Sequence, residues 1–421
     1  MSEKIFVGTL AKQEEILSEL RGQRPKRYGY RVKMAEPDTA ARVEYIYDAV
    51  GMTPAYMDFA AGSFNYGSWK NVWFVRDNYP CMVKSSGFED YQLDPNNYTV
   101  RADDSSTNSD VSNTNYDGNA MAAIPLVWVK RWQEDGYQYV SFCETQYDEG
   151  YKAYAHTRPD GSIAAKAYHA MFKGGLVGGK LRSLKDLWPE NSTNAQQELD
   201  YAKANGSEWN IRTWSLHELI ADLLTLISKN MNAQAAFGSG CTTGYVDDAS
   251  QHYGQLKGGS LFSKGQFYGA GPADTRTQVK VFHIEGFWGE RWDRLAGLIY
   301  ENGVWKAKMT GEGGGYNLTG AGYTAVCHGV PHGGTDSFWG WQKEVKQTEF
   351  GRFPVGELTG GDQSYEADYH WVNNHITAVC LAGAGCADGW SCGPRALDAT
   401  DAAGAAGWTL GASLSLVGPS L

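Results

Sequence analysis

Two cysteine-containing stretches come closest to residue types and spacing that could do chemistry. Cys386 and Cys392 lie six positions apart among small residues near the C-terminus. Such a pair could bind a soft metal ion or cycle through a disulfide, or be two unrelated small side chains. His328 and His332 lie four apart beside Cys327 in CHGVPHGG, but a loop rich in glycine and proline gives that spacing no fixed geometry. We therefore expect no metal site.

Two further motifs lack a required residue. His217 and Glu218 lie on a predicted helix, but no second histidine follows at the H-E-x-x-H spacing of zinc proteases, which favours a capping and surface role. Residues 311–320, GEGGGYNLTG, are rich in glycine like a phosphate loop but lack its G-x-x-x-x-G-K-S/T signature, so we interpret them as a surface turn. The sequence predicts no catalytic residue and no cofactor.

The charge balance excludes several classes of partner. With a formal net charge of −11, the chain has no large basic field, so we expect neither nucleic-acid binding nor attachment to an anionic membrane. The longest apolar run, residues 219–227, is interrupted by Asp222 and Thr225 and is too short to span a bilayer. The first twenty residues lack the apolar core and cleavage site of a signal peptide, so we expect synthesis in the cytoplasm without one.

The elements that must position any site are mostly short. Aromatic residues make up 13% of the chain and glycines number 51, a combination that favours brief strands and many turns. We expect a helix over residues 1–25, and we place a domain boundary in the polar loop 103–119. A second helix is expected over residues 39–51, TAARVEYIYDAVG, and a third after Ser215, which with Glu218 fits a capping box. The apolar face of that helix consists of Leu216, Leu219, Ile220, Leu223, Leu224 and Ile227.

Two stretches resemble known proteins. HIEGFWGERWDRLAG, residues 283–297, resembles a Gly- and Trp-containing segment of the C-type lectin fold in its formylglycine-generating branch, with departures at Glu290, Asp293 and Arg294. Together with the preceding helix, it is similar to phage virion proteins built on that fold. GCADGWSCGPRALDATDAAGAAGWTLGASLSL, residues 385–416, resembles the variable region of target proteins of diversity-generating retroelements.

The resemblance implies an α+β protein with a C-terminal C-type lectin fold over residues 116–421, preceded by a smaller N-terminal region, 1–115, for attachment or oligomerisation. The variable region would span about residues 380–416, and Trp408 and Leu414 would be buried anchors in it. The structural frame implied by the resemblance is Gly389, Cys392, Gly393, Trp408, Gly411, Leu414, Trp288 and Trp292.

Between the frame residues lie the expected variable, ligand-contacting positions. These are Cys386, Ala387, Asp388, Trp390, Ser391, Asp398, Thr400, Asp401, Gly404, Ala405 and Gly407. All except Trp390 can arise from the asparagine codon AAC when its adenines are replaced. Trp390 is included because an exposed indole offers a large contact area. Ala, Gly and Asp predominate here, whereas Tyr, Asn and Trp are usual on such a face.

The function that the resemblance implies is that of a phage tail or tail-fibre receptor-binding protein. Its partners would be a bacterial surface receptor, protein or glycan, and other tail proteins of the virion, with a homotrimer as a further expectation. One alternative is a formylglycine-generating copper oxidase that uses Cys386 and Cys392. A second is a carbohydrate-binding lectin, although residues 320–421 lack a dense cluster of calcium ligands.

Overall fold

The structure of the chain is a computed structural model that describes residues 24–246, 252, 255–329, 337–356 and 358–420. The helix predicted over residues 1–25 lies outside this part of the chain except for its last two residues, and His332 lies outside it as well. None of the helices in the described ranges is long and apolar enough to cross a membrane.

The expected α+β class, with a C-terminal C-type lectin fold, is wrong. Strands account for 37% and helices for 10% of a structure that is made of several sheets. The aromatic and glycine content explains the result, because aromatic side chains pack well on pleated surfaces and glycines permit the tight turns between short strands. The composition therefore indicated the fold class better than the resemblance did.

The strands are numbered β1 to β27 along the described chain. The first ten are β1 (Arg27–Lys33), β2 (Val43–Tyr47), β3 (Tyr56–Asp58), β4 (Ser63–Asn65), β5 (Tyr79–Lys84), β6 (Glu89–Asp94), β7 (Asn97–Arg101), β8 (Gly118–Pro125), β9 (Trp128–Glu134) and β10 (Tyr137–Cys143). The next eight are β11 (Lys166–Ala170), β12 (Gly175–Val177), β13 (Lys180–Arg182), β14 (Asn210–Ile211), β15 (Lys280–Val281), β16 (Ile284–Glu285), β17 (Trp292–Glu301) and β18 (Val304–Ala307). The last nine are β19 (Thr324–His328), β20 (Ser337–Trp341), β21 (Val345–Thr348), β22 (Gly351–Pro354), β23 (Tyr369–Asn373), β24 (Thr377–Gly383), β25 (Gly393–Ala399), β26 (Leu410–Gly411) and β27 (Leu414–Val417).

The helices are few and mostly short. They are α1 (Trp73–Arg76), α2 (Ala195–Lys203), α3 (Trp214–Ser228) and α4 (Ala233–Phe237), with single 3-10 turns at Tyr154–His156 and Gly389–Ser391. The helix predicted over residues 39–51 is wrong, because this segment contains β2.

Three sheets contain most of the strands. The first has the order β2-β1-β10-β9, and the second has the order β14-β27-β11-β8-β5-β6-β7. The third runs β19-β18-β17-β24-β25-β23-β20, and β26 pairs with β17 beside this path. Because β1 pairs with β10 and β5 pairs with β8, strands on the two sides of residue 115 share hydrogen-bonded sheets.

Helix α3 lies in the core, and every one of its residues is buried. The predicted apolar face is present, but the capping box predicted for Ser215 and Glu218 is wrong, and so is the surface role predicted for His217 and Glu218, which are both buried. Thr213 is the N-cap residue and makes no side-chain cap hydrogen bond. Glu218 instead accepts a hydrogen bond from the main-chain nitrogen of Arg352 at 3.0 Å. The Glu218 carboxylate therefore binds a neighbouring strand instead of capping the first turn of α3.

A buried charge cluster fastens α3 to the surrounding strands. Asp222 accepts hydrogen bonds from Tyr30 Oη at 2.9 Å, from Arg131 Nε at 2.6 Å and from Arg395 Nη2 at 2.6 Å. Burial disfavours the charged carboxylate, but Arg131 and Arg395 outweigh it and hold the pKa of Asp222 below its usual value. Since these partners lie on β1, β9 and β25, one carboxylate ties the helix to two sheets.

Candidate binding surface

The predicted variable region forms two loops that join strands of the third sheet. Loop 1, residues 384–392, connects β24 to β25 and contains a 3-10 turn. Loop 2, residues 400–409, connects β25 to β26. Loop 1 closes the β24–β25 pair where Gly383 lies opposite Gly393, whereas loop 2 leaves β25 at its other end and pairs through Ala402 with Ala378. Loop 2 then returns to β26, which pairs with β17 at Asp293, and Asp293 also lies opposite Ala382 near the start of loop 1. Neither strand order nor proximity of this kind can be obtained from sequence spacing.

Most of the predicted variable side chains are accessible to solvent. The exposed ones are Ala387, Trp390 and Gly404, and the partly buried ones are Asp388, Ser391, Asp398, Thr400, Asp401, Ala405 and Gly407. Trp390 is 45% exposed, which is a high fraction for an indole. Cys386 differs from this set because its side chain is fully buried and does not reach the surface.

The predicted frame residues lie mostly in the interior. The buried ones are Cys392, Gly393, Gly411, Leu414, Trp288 and Trp292. Trp408 is only half-buried, and its ring stacks on that of Tyr245 with a centroid distance of 4.3 Å. Gly389 has a φ of 56°, a left-handed conformation that favours glycine. Gly393 is required by close approach, because a Cβ there would lie 2.0 Å from the carboxylate of Asp368.

Loop 2 is held through its carbonyl groups, and every second residue takes part. The hydrogen bonds are Val379 N to Asp401 O at 3.0 Å, Ala195 N to Ala403 O at 3.0 Å, Arg294 Nη2 to Ala405 O at 3.1 Å, Ser192 N to Gly407 O at 3.0 Å and Trp292 N to Thr409 O at 2.9 Å. In addition, Gln255 Nε2 donates to Trp408 O at 3.3 Å. All of these donors lie outside loop 2, and every acceptor is a main-chain atom. The path of the loop therefore does not depend on the identity of these side chains.

Loop 1 is anchored in a similar way by residues elsewhere in the chain. The hydrogen bonds are Cys386 N to Glu290 O at 3.1 Å, Gly389 N to Thr242 O at 2.9 Å, and Gln234 Nε2 to Cys392 O at 2.5 Å and to Trp390 O at 3.4 Å. Two aspartates add contacts that do depend on their side chains. Asp388 Oδ2 accepts from Gly385 N at 2.7 Å, and Asp398 Oδ1 accepts from Thr400 N at 2.7 Å.

The charged residues of the 289–294 segment form the floor beneath both loops. Arg294 donates to Glu198 Oε2 at 2.6 Å, and both side chains are fully buried. Burial raises the pKa of Glu198, and the neighbouring guanidinium of Arg294 opposes that rise. Asp293 contacts Lys173 at 2.8 Å and Arg212 at 2.6 Å. Asp293 and Arg294, which depart from the lectin pattern, therefore form buried structural ion pairs.

Sequence reasoning did not identify Arg294, Gln255 and Gln234 as residues that shape the site. The available signal was the run GERWDR, whose charges lie between apolar residues on both sides. Buried charges are rare unless they are paired, so such a run in a buried strand indicates partners elsewhere in the chain. Those partners are distant in sequence: Glu198, for example, precedes Arg294 by 96 residues.

Three aspartates of the predicted variable surface have raised pKa values. Burial raises the pKa of Asp398 to about 6. Burial also raises the pKa of Asp388 and of Asp401, and Arg294 partly offsets the effect at Asp401. These carboxyl groups are partly shielded from water but reach the surface, so they can accept hydrogen bonds from a ligand.

The cysteines near the loops do not have the properties of reactive thiols. Burial raises the pKa of Cys386 to about 11 and that of Cys392 well above its usual value. Both therefore remain protonated near neutral pH, whereas nucleophilic and metal-binding cysteines act as thiolates. In the described ranges, no group of three or more His, Cys, Asp or Glu residues is arranged to hold a metal ion.

Residues 389–393, GWSCG, have the Gly-x-Ser-x-Gly spacing of hydrolase nucleophiles. The motif needs a sharp turn from a strand into a helix. Here Ser391 ends a 3-10 turn that leads into β25, and its main-chain nitrogen bonds to Asp388 O at 3.0 Å. The local fold is therefore not that of a nucleophile elbow.

A separate cavity of about 330 Å³ lies away from the variable positions. Its wall includes Lys203, Glu208, Asn210 and Tyr316, and none of the predicted variable residues.

Comparisons with known proteins give little. No known protein-family model matches the chain, and no curated protein matches it either. A solved structure described as "Major Tropism Determinant U1 Variant" is similar to it at 12% sequence identity, with a TM-score of 0.28, over 80% of this chain and 71% of that chain. A similarity this weak does not assign a function to the chain.

Proposed function

We propose that this chain is a receptor-binding protein of a phage tail that presents loops 1 and 2 to a molecule on the bacterial surface. Its role is binding rather than catalysis. The alternate anchoring of loop 2, through the carbonyls of residues 401, 403, 405, 407 and 409, is the observation that carries the proposal. A loop held by main-chain atoms keeps its shape while its side chains change.

The energetics favour this interpretation. Each of the four bonds between main-chain atoms contributes roughly 0.5–1.5 kcal/mol net and the bond from the Arg294 guanidinium about 1.5–3 kcal/mol, so the five alternate bonds of loop 2 together contribute about 3.5–9 kcal/mol. Most of that stabilisation is retained when an exposed side chain is replaced. This property suits a surface whose residues are rewritten by adenine-directed mutagenesis, which we propose as the origin of the sequence pattern of residues 385–416.

The proposal also assigns roles to the rest of the chain. Residues 1–115 attach the protein to other tail proteins of the virion, and the protein assembles as a homotrimer. Trp390 supplies the largest exposed apolar contact on loop 1, since it is the large hydrophobic residue of that loop that is more than a third exposed. The small residues around it leave room for a receptor side chain or sugar to reach the indole.

Single substitutions at exposed positions of the two loops test the proposal. The fluorescently labelled chain is applied to a panel of bacterial strains, and binding is measured by flow cytometry. Ala387→Tyr and Gly404→Tyr each place a large ring at an exposed position, and a Cβ at Gly404 meets nothing within 4 Å. We expect both variants to unfold at the same denaturant concentration as the original chain but to bind a different set of strains.

Two outcomes would contradict the proposal. If the variants bind the same strains with unchanged strength, the loops are not the contact surface. If the original chain binds no strain while remaining folded, a receptor-binding role is refuted. An independent test is the DNA beside the gene: a near-identical repeat of the segment for residues 380–416, differing at adenines and lying near a reverse-transcriptase gene, is expected.

A further inference from the structure

A row of aromatic side chains, outside the predicted variable positions, lies on one face of the third sheet. Strands β20 and β23 pair antiparallel, which places Trp339 opposite Trp371 and Trp341 opposite Tyr369. These four residues are named the aromatic ladder. Residues directly opposite each other in an antiparallel pair have neighbouring side chains on the same face. Trp339 is 61% exposed, and the other three are half-buried.

The rings of the ladder support one another. The centroid distances are 4.7 Å between Trp341 and Tyr369, at a nearly perpendicular angle of 86°, and 4.5 Å between Tyr369 and Trp371. Trp371 also meets the buried Trp292 edge to face at 5.1 Å. Such contacts hold the rings in place before any ligand arrives, so binding on them costs little side-chain entropy.

The ladder is continuous with the variable surface. Trp371 pairs with Asp398 of β25 in a parallel register, so the two side chains are neighbours on the same face. At the other side, Trp292 lies between the ladder and loop 1, because its indole also bonds to the carboxyl group of Asp388. One strip therefore runs from the exposed Trp339 to two of the predicted variable aspartates.

The charges along this strip restrict its ligand. The outward positions of β20 and β23 are Ser337, Trp339 and Trp341, and Tyr369, Trp371 and Asn373, and this set contains no lysine or arginine. Aspartates lie at the end nearest the loops. An acidic polymer would be repelled there and would find no cation on these strands, so the complementary ligand is an uncharged one. Aromatic faces beside hydroxyl-accepting carboxylates and an amide match a sugar chain, which has apolar C–H faces and hydroxyl groups at its edges.

Addition of a peptide strand at β20 fits this edge less well. Gly360 N donates to Trp341 O at 2.9 Å, and a Cβ at Gly340 would lie 2.6 Å from the side chain of Leu358. Residues 358–360 therefore already occupy the side of β20 where a peptide would pair in the strand-addition mode.

We propose that the aromatic ladder binds an uncharged glycan chain of the bacterial surface, next to the contacts made by loops 1 and 2. The inference rests on the proposed receptor-binding function and names its ligand class. Because the ladder lies outside the rewritten positions, it would give every variant a constant affinity for the cell envelope, while the loops select among strains.

The test uses Trp339→Ala, with Phe88→Ala as a matched control. Both residues are 61% exposed, and Phe88 lies in the turn between β5 and β6 rather than in the third sheet. The labelled full-length proteins are titrated onto cells of a strain that the original chain binds. The cells are used untreated, after periodate oxidation of their glycans, and after proteinase digestion.

We expect Trp339→Ala to weaken binding about tenfold, as for a central aromatic contact, and Phe88→Ala to leave it unchanged. Periodate should abolish the difference between the original chain and Trp339→Ala, and proteinase should not. Equal binding by Trp339→Ala and the original chain overturns the inference. A difference that proteinase removes and periodate does not identifies a protein ligand and overturns it as well. In both cases, loss of binding by Trp390→Ala leaves the proposed function standing, whereas binding to no strain counts against that function itself.

Discussion

The anchoring of loop 2 by a buried ion pair gives the sharpest prediction. Arg294→Met removes the donor to Ala405 O and leaves the carboxyl group of Glu198 buried without its partner. Since burial raises the pKa of Glu198 to about 8, the carboxyl group is neutral near pH 7 without Arg294, and leaving it unsatisfied costs about 1–3 kcal/mol of unfolding free energy. We expect this loss in guanidinium unfolding followed by tryptophan fluorescence.

The double variant Arg294→Met with Glu198→Leu separates stability from loop anchoring. Apolar replacement of both partners is often neutral, so we expect most of the unfolding free energy to return. The hydrogen bond to Ala405 O does not return. A hydrogen bond from a charged donor is worth about 1.5–3 kcal/mol, so local opening of loop 2 should become about ten- to a hundredfold more frequent.

Hydrogen exchange measured by mass spectrometry on a peptide that covers loop 2 reads this opening directly. The Ala405 amide is a suitable reporter, because it donates within the loop to Ala402 O at 2.9 Å. We expect faster exchange and weaker cell binding in the double variant despite its restored stability. If the double variant exchanges at the original rate, the main-chain anchor does not hold the loop, and the argument for an exchangeable surface fails.

Three further predictions concern single positions. Gly393→Ala should lower the unfolding free energy by about 2–4 kcal/mol, because its Cβ would overlap the carboxylate of Asp368. Gly404→Ala, whose Cβ meets nothing within 4 Å, should change it by less than about 0.5 kcal/mol, and denaturant titration compares the two variants. Since the pKa of Asp398 is raised to about 6, the folded chain keeps a proton that the unfolded chain releases near pH 4. The contribution of Asp398 to the unfolding free energy therefore falls as the pH rises from about 4 to 6. Asp398→Asn should remove this decrease, which is measured as unfolding free energy against pH. Trp390→Ala should reduce cell binding about tenfold or more without changing the denaturation midpoint, since the indole is 45% exposed; unchanged binding would place the contact elsewhere.

Local patterns predicted the parts of the fold that depend on local physics. The apolar spacing from Leu216 to Ile227 predicted α3, and the aromatic and glycine content predicted brief strands and many turns. The capping box predicted at Ser215 was wrong, because the carboxylate of Glu218 accepts hydrogen bonds from Arg352 of β22 and Arg395 of β25. Such distant partners are not visible in a motif defined by two nearby side chains. The α+β fold class was wrong for a related reason: it came from resemblance of short segments, and those segments do not determine how strands pair.

For the candidate site, the sequence determined which side chains are available, and the tertiary structure decided what holds them. The C-terminal pattern of small residues with Trp390 among them is a property of the sequence alone. That Arg294, Gln255 and Gln234 donate to the main chain of these loops follows from contacts between residues far apart in sequence. The same holds for the position of the aromatic ladder beside Asp398, since β23 and β25 pair in parallel across the sheet. Hydrogen bonds to main-chain atoms leave no signature in the residue that accepts them, so the sequence shows the exchangeable side chains but not the anchors beneath them.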